Sequence, residues 1–182
     1  MQIITQKNGR VGKYEDALID CYMQVFAAPP WNEDWWTPTL VREVLTQYSG
    51  PNVTYVFAVH DEEVVGFVWG AYMHTHELIK DLCLNLPYSS NQLVGYLKDV
   101  GVRSGYRQIG LAKRMLQELI ESLKCDVSAG PFLARTLALP EPSVVYQWFP
   151  ALGFTVVAHY TQEHERYGQV ILGMNNINDI SF

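Results

Sequence analysis

Apolar and polar residues recur along the chain with two periods, one typical of helices and one typical of strands. The clearest helical pattern covers residues 111–124, where apolar residues return every three or four positions. A short apolar strand and a turn containing glycine precede it. The stretch from Tyr96 to Lys124 is therefore predicted to form a strand, a turn and an amphipathic helix. The apolar face of that helix comprises Leu111, Ala112, Met115, Leu116, Leu119, Ile120 and Leu123, and the polar face comprises Lys113, Arg114, Gln117, Glu118 and Glu121.

Shorter helical patterns predict further helices, and prolines mark several of their ends. Pro29 and Pro30 are predicted to end the first one, because proline lacks an amide hydrogen and restricts the residue before it. Pro150 is predicted to end the last one. These helices are Tyr14–Ala28, about Pro38–Gln47, a short one through Leu78, Ile79 and Leu82, and Val144–Phe149 after a proline-containing start at Pro140–Ser143.

Runs rich in Val, Ile, Phe and Tyr predict strands, several of them joined as hairpins. Asp61–Glu63 reads as a hairpin turn, and the polar loop Thr161–Gly168 is predicted to join the last two strands. The tail from Asn175 to Phe182 is predicted to be loosely ordered. Besides the central strand that ends at Val102, the predicted strands are Gln2–Thr5, Val53–His60, Val64–Tyr72, Phe132–Leu139, Thr155–Tyr160 and Gln169–Met174.

The composition is that of an ordinary globular protein. The chain has 182 residues, of which 48% are hydrophobic and 18% charged, so a single domain over residues 1–182 is expected. Apolar runs stop well short of the ~20 residues of a membrane span, and the N-terminus does not resemble a signal peptide. We therefore expect a cytoplasmic protein that does not enter a membrane.

Charge and cysteine content narrow the possible ligands. A net charge of −6 argues against a nucleic-acid surface and mildly favours cationic small substrates. The cysteines are Cys21, Cys83 and Cys125, and their wide spacing indicates reduced side chains rather than a metal or redox centre. His74 and His76 are too few for a metal site, so no metal is expected.

The turn before the long helix has the chemistry of an anion site. The first amides of a helix have no intrahelical partner and lie at the positive end of the helix dipole. Gly110 and Ala112 leave room for a close approach, and Arg103 and Arg107 add positive charge. The sequence therefore predicts a site that suits a pyrophosphate.

The same residues resemble a known family. Residues 107–112, Arg-Gln-Ile-Gly-Leu-Ala, fit the Arg/Gln-x-x-Gly-x-Gly/Ala signature of the GNAT superfamily of N-acetyltransferases. Tyr106 is the usual aromatic before it, Val100–Val102 is similar to the end of the family's central strand, and Trp148–Phe154 resembles its later helix ending in Leu-Gly-Phe. The resemblance covers most of the chain.

This resemblance implies a fold and an activity. The fold would be α/β (α+β), with a mixed, mostly antiparallel central sheet of six to seven strands flanked by about four helices. The activity would be direct transfer of an acetyl group from acetyl-CoA to a primary amine, without a metal. The residues implied in donor binding are Val100, Gly101 and Val102 through their backbone along the pantetheine arm, and Arg107, Gln108, Ile109, Gly110, Leu111 and Ala112 at the pyrophosphate.

The proton-handling residues depart from the family pattern. Many members carry a tyrosine four residues before the glycine of Leu-Gly-Phe, where it can protonate the departing thiolate, but here that residue is Phe149. Tyr146, about one helical turn earlier, is the candidate replacement, and transfer without a dedicated acid stays open. Asp99 is a candidate base, acting directly or through water, with Glu33 and Asp34 as alternative carboxylates.

The loop between the first two helices is a candidate acceptor site. It contains Trp31, Glu33, Asp34 and Trp35, and aromatic faces beside carboxylates suit a cation. The alternative is that the rings seal the edge of the core while the carboxylates cap the next helix. In the family this segment commonly contributes to the acceptor pocket.

Three functions are thus compared. The leading one is an acetyl-CoA-dependent N-acetyltransferase acting on a small-molecule amine, with no nucleic-acid or membrane partner, as a monomer or homodimer. The second is a non-catalytic acyl-CoA-binding sensor or partner protein, favoured by Phe149. The third, a Rossmann-type nucleotide-binding protein, is weaker because its glycine turn would follow an early strand of a repeated parallel unit.

Overall fold

The computed structural model describes residues 1–29, 31–125, 130–138, 142–160 and 169–182. Its α-helices are α1 Glu15–Ala27, α2 Pro38–Gln47, α3 Thr75–Leu82, α4 Leu111–Lys124 and α5 Val144–Trp148. Its strands are β1 Gln2–Lys7, β2 Val53–His60, β3 Glu63–His74, β4 Leu93–Val102, β5 Phe132–Leu137, β6 Thr155–Tyr160 and β7 Gln169–Met174. No helix among these residues is long and apolar enough to cross a membrane.

The strands form one mixed sheet in the order β1-β2-β3-β4-β5-β7-β6. The pairs β1–β2, β2–β3, β5–β7 and β6–β7 are antiparallel, and β4–β5 is parallel. The predicted α/β (α+β) class with a mostly antiparallel sheet is confirmed. The described residues contain five α-helices where about four were expected.

The packing divides the chain into two compact units. The first comprises residues 1–71 and 98–122, and the second comprises residues 72–97 and 123–182. The single domain expected from chain length stays a prediction.

The core of the first unit is built on a layer of aromatic side chains. In the antiparallel register Tyr55 faces Trp69 and Phe57 faces Phe67, and all four are almost wholly buried. Tyr22 of α1 stacks on the Phe67 ring with centroids 5.5 Å apart. Alternation along each strand places these rings on one face of the sheet, where α1 covers them.

Several predicted boundaries are confirmed and others are corrected. Helix α2 and strands β2, β6 and β7 have the predicted ends, whereas β4 begins at Leu93 rather than Tyr96. Pro150 does not end the last helix, because α5 ends at Trp148 and Pro150 lies inside the 3-10 turn Phe149–Leu152. A proline fits the first positions of such a turn, where its missing N–H has no partner to lose.

The C-terminal tail is also more ordered than predicted. Ile177 is wholly buried, Ile180 is 4% exposed, and the Ile177 N–H donates to the Gly130 carbonyl at 2.9 Å. These contacts tie residues 175–182 to the second unit. The predictions for Pro30, for residues 139–141 and for the loop 161–168 lie outside the described residues.

Candidate active site

The turn between β4 and α4 has the backbone geometry of an anion site. A 3-10 turn spans Ser104–Tyr106, and α4 begins at Leu111. Gln108 has φ 65° and Gly110 has φ 76°, with Ile109 between them outside the positive-φ region. Turns with such left-handed residues can direct successive N–H groups into an anion-binding concavity. The first amides of α4 continue the row of donors.

The donors of this turn are open to a ligand. Residues 107–110 are exposed, and a Cβ placed on Gly110 would meet no atom within 4 Å. The N–H groups of residues 108–110 form no backbone hydrogen bond within the described part of the chain. The Arg107 N–H differs, since it donates to the Ser104 carbonyl at 3.3 Å.

The two arginines near the turn have different environments. The Arg107 Nε donates to the Val102 carbonyl at 3.0 Å, which fixes the guanidinium at the end of β4 while leaving the residue exposed. Arg103 was expected to add charge at the phosphate, but its Nη1 lies 2.8 Å from Glu63 Oε2 and its side chain is only 16% exposed. Its charge is therefore matched by Glu63.

A buried thiol lies close to Arg103. Cys21 of α1 is completely buried, and this burial raises the pKa of its thiol to about 11, an increase that the Arg103 guanidinium partly opposes. The thiol therefore stays protonated and unreactive at neutral pH.

The end of β4 packs closely against its neighbours. A Cβ on Gly101 would come within 2.7 Å of both Phe67 Cζ and Val25 Cγ1, so close packing alone requires glycine there. Val102 is buried and Val100 is half-buried. The roles predicted for Val100–Val102 use only backbone atoms and stay a prediction.

Asp99 lies on the aromatic face of the first unit. It is half-buried and accepts a hydrogen bond from the Tyr22 hydroxyl at 3.4 Å, so it contacts α1. Burial first, and the Asp99 carboxylate second, raise the pKa of Tyr55. Tyr55 thus stays protonated and donates its hydroxyl hydrogen to the Tyr48 carbonyl at 3.3 Å.

Lys98, the residue before Asp99, also reaches the end of α2. Its ammonium lies 3.0 Å from the Tyr48 hydroxyl oxygen and 4.6 Å from the centre of the Tyr48 ring. Sequence reasoning missed Tyr48 and Tyr22 as neighbours of β4. Tyr48 is 50 residues from Lys98 and Tyr22 is 77 residues from Asp99 along the chain, and no local pattern in the sequence indicates such pairs.

The residues of the loop after α1 that were predicted to bind the acceptor lie in different environments. Trp31 packs on Phe26 with ring centres 5.6 Å apart, which matches the packing alternative. The Glu33 carboxylate accepts a hydrogen bond from Trp36 Nε1 at 2.7 Å. Asp34 is exposed, and Trp35 is 56% exposed and stacks on Trp36 at 4.3 Å.

Trp36 connects this loop to the aromatic face. Its ring meets the edge of Tyr22 at 5.1 Å, and Tyr22 in turn contacts Asp99. A continuous set of contacts therefore runs from Glu33 through Trp36 and Tyr22 to Asp99.

The candidate acid lies in the second unit. Phe149 is wholly buried and packs on Phe154 at 4.5 Å, so it acts as a core residue. Tyr146 is half-buried on α5, and its N–H donates to the capping Ser143 Oγ at 3.1 Å. Its role in proton transfer stays a prediction.

The family model described as "Acetyltransferase (GNAT) family" matches residues 14–137, more than half of the chain. The chain belongs to the GNAT acetyltransferase family. It is therefore an acetyltransferase, and acetyl-CoA is its acyl donor. No curated protein sequence matches this acetyltransferase at a significant level.

Solved structures share the fold at low sequence identity. Arabidopsis thaliana NAA60 in complex with acetyl-CoA has a TM-score of 0.65 at 18% identity, over 97% of this chain and 99% of that one. Aminoglycoside 6'-acetyltransferase type Ii has a TM-score of 0.66 at 16% identity, over 100% and 99%. Ribosomal-protein-alanine N-acetyltransferase from Brucella melitensis has a TM-score of 0.66 at 16% identity, over 96% and 99%.

The family assignment decides between the predicted functions. It confirms the enzyme over the non-catalytic acyl-CoA-binding alternative. The Rossmann-type alternative is wrong, because the sheet is mostly antiparallel rather than built from repeated parallel units.

The turn after β4 fits the donor of this acetyltransferase. A pyrophosphate needs several convergent donors and space for close approach, and the open concavity around Gln108 and Gly110 offers both. The exposed Arg107 adds the one cationic side chain of residues 107–112.

Metal ligands are not gathered in the described ranges, where no group of three or more His, Cys, Asp or Glu residues could hold an ion. His74 and His76 stack at 5.6 Å. Each directs Nδ1 toward a backbone carbonyl at 3.0 Å, that of Asn91 and of Ser90 respectively, so these nitrogens donate hydrogen bonds.

Proposed function

We propose that this acetyltransferase acts on the primary amine of a small, cationic acceptor. The observation that supports this most is the set of contacts joining the half-buried carboxylates of Glu33 and Asp99 through Trp36 and Tyr22. Carboxylates beside aromatic faces attract an ammonium group through both charge and the ring quadrupole. The name of aminoglycoside 6'-acetyltransferase type Ii, one of the structural neighbours, is consistent with an acceptor of this kind.

Donor binding is assigned to the turn and to the end of β4. The amides of Gln108 to Ala112 donate to the pyrophosphate, and Arg107 adds a positive charge that its bond to Val102 holds in place. The backbone of Val100–Val102 aligns the pantetheine arm by strand-like hydrogen bonds. Acetyl-CoA supplies the acetyl group as an activated thioester. The protein contributes orientation, which lowers the entropic part of the barrier.

Asp99 is assigned to the acceptor amine. An ammonium must lose a proton before its nitrogen can attack, and a half-buried carboxylate can accept it directly or through water. The Tyr22 hydroxyl at 3.4 Å donates to one carboxylate oxygen and orients the group. A carboxylate can accept several hydrogen bonds over its two oxygens, so this contact is compatible with an amine at the same group.

Tyr146 is assigned as the proton donor to the leaving thiolate. The residue at the usual tyrosine position, Phe149, has no exchangeable proton and is wholly buried. Tyr146 is the half-buried hydroxyl nearest to it along α5, and its backbone is fixed by the Ser143 cap.

The loop after α1 is assigned to acceptor recognition. Trp35 offers an exposed ring, and Asp34 and Glu33 offer charge, while Trp31 anchors the loop on Phe26. Trp36 holds the Glu33 carboxylate, so it positions a charge instead of contacting the acceptor.

An acceptor panel tests the proposed function. Thiol release from acetyl-CoA is measured with diamines, aminoglycosides, amino acids, a peptide with a free N-terminus and an aromatic monoamine that is uncharged at neutral pH. Small amines with an additional positive charge should give the highest kcat/KM. Turnover of the peptide alone, or equal turnover of neutral and cationic amines, would overturn the proposed acceptor class.

A further inference from the structure

Lys98 is a second charged group at the aromatic face of the first unit. We propose that it binds a carboxylate of the acceptor, so that the acceptor is an amine that also bears an acid group, as a basic amino acid does. This inference rests on the proposed acceptor site, and it narrows the acceptor class.

The ammonium of Lys98 is held where a ligand could use it. Lys98 is half-buried, and the Tyr48 hydroxyl at 3.0 Å accepts only one of its three hydrogens. The Tyr48 ring at 4.6 Å restricts the ammonium further. Two donors of a positioned cation are thus left for another group.

Among the described residues, no acid is paired with Lys98. In the described part of the chain Lys98 forms no ion pair, whereas Arg103 is paired with Glu63 and Arg42 is paired with Glu15 and Asp16. Desolvating a charge without a counter-ion costs free energy, and a bound carboxylate removes that cost.

A second donor without an acceptor lies beside Tyr48. The Trp69 ring meets Tyr48 at 5.1 Å and Tyr55 at 5.2 Å, and its buried Nε1 has no hydrogen-bond partner among the described residues. The Tyr55 and Trp69 rings are buried, whereas Tyr48 is half-buried and carries the Lys98 ammonium over its ring. The donors left on the half-buried Lys98 favour a ligand group that only accepts, as a carboxylate does.

Carboxylates also contact the aromatic side chains of the first unit. Asp99 is close enough to Tyr55 to raise its pKa, and it leads through Tyr22 and Trp36 to Glu33. An acceptor whose acid group binds Lys98 lies close to Asp99, the next residue of β4, and so meets both a cation and a carboxylate. A molecule with one carboxylate and two amines matches these charges and is still a cation overall.

A matched pair of acceptors tests the inference. Free lysine and 1,5-diaminopentane differ only in the carboxylate, and thiol release from acetyl-CoA gives kcat/KM for each. The wild-type protein should favour lysine by at least about 10-fold, since a hydrogen bond between two charged groups contributes roughly that much. A wild-type preference for the diamine would overturn the inference whatever the variants do.

Variants then assign the preference to Lys98. Lys98→Met should lower kcat/KM for lysine by about 10-fold to 100-fold and raise it for the diamine, because a repelling charge has gone. Lys98→Gln should change the ratio in the same direction, and Lys80→Met, at an exposed lysine on α3, should leave it unchanged. An unchanged ratio in both Lys98 variants would contradict the inference. Absence of turnover with every amine, despite acetyl-CoA binding, would instead contradict the proposed function.

Discussion

The Tyr146 hydroxyl is the proton source proposed for the leaving thiolate, in place of the buried Phe149. Tyr146→Phe removes only that hydroxyl, so kcat should fall by about 10-fold to 100-fold while the Kd for acetyl-CoA stays the same. Steady-state kinetics and calorimetry measure the two quantities. Tyr14→Phe, at a ring that packs on Phe57, is the matched control and should retain wild-type kcat. Equal kcat in the two variants would remove Tyr146 from the mechanism.

Cys21 gives a prediction about stability at high pH. Its folded-state pKa of about 11 lies above the ordinary 9.0, so its contribution to stability is complete below pH 9 and is lost as pH rises through 11. This difference between the folded and unfolded pKa of Cys21 corresponds to about 3 kcal/mol in the free energy of unfolding. Urea unfolding at pH 8 and pH 11 measures the loss, and Cys21→Ala should show a smaller one. An equal loss of stability in the wild type and in Cys21→Ala would show that the Cys21 thiol is not its cause.

The turn between β4 and α4 is the element on which donor binding depends. A methyl group added at Gly110 or at Gly105 would meet open space, but only Gly110 has a positive φ. Gly110→Ala should therefore strain the turn by about 1–2 kcal/mol and raise the Kd for acetyl-CoA roughly 10-fold, whereas Gly105→Ala should bind normally. Calorimetric titration of both variants checks this, and a normal Kd for Gly110→Ala would show that the turn geometry is unimportant.

The elements that sequence predicted well are those set by local patterns. Helix α2 starts with Pro38 in its first turn and a Thr37 cap, and β2 and β3 are joined by a charged turn, so their ends follow from neighbouring residues. The start of β4 at Leu93 was missed because the preceding residues lack strand alternation. The 3-10 turn containing Pro150 was missed because proline signals a helix end and a helix start equally.

The candidate site was predictable only where it depends on one stretch of chain. Gly110 and the start of α4 pointed to an anion site without any partner elsewhere. The positive φ of Gln108 could not be predicted from the sequence, because glycine is the usual residue at a positive φ. Arg103 pairs with Glu63, 40 residues away, because the fold of the sheet brings the two side chains together. The Arg103 charge expected at the phosphate is therefore neutralised by Glu63.

The net charge of the whole molecule should affect capture of a cationic acceptor. With a net charge of −6 and carboxylates on the loop after α1, long-range attraction raises the encounter rate, and salt screens it. Raising the ionic strength from about 0.05 M to about 0.3 M should lower kcat/KM for a diamine roughly threefold. The kcat/KM for an aromatic monoamine that is uncharged at the assay pH should stay constant, and a parallel fall for both amines would show that attraction to the protein is not the cause.

The turn over residues 107–112 is proposed to bind the pyrophosphate of acetyl-CoA. Calorimetric titration of acetyl-CoA into Arg107→Glu tests it most directly, with Arg10→Glu as a control that changes the net charge equally at another exposed arginine. We predict at least a 10-fold loss of affinity, on the order of 1.5–3 kcal/mol, for Arg107→Glu alone. S-acetylpantetheine, which lacks the pyrophosphate, should bind both variants as it binds the wild type. Equal affinity of wild type and Arg107→Glu for acetyl-CoA would show that the pyrophosphate does not bind at this turn.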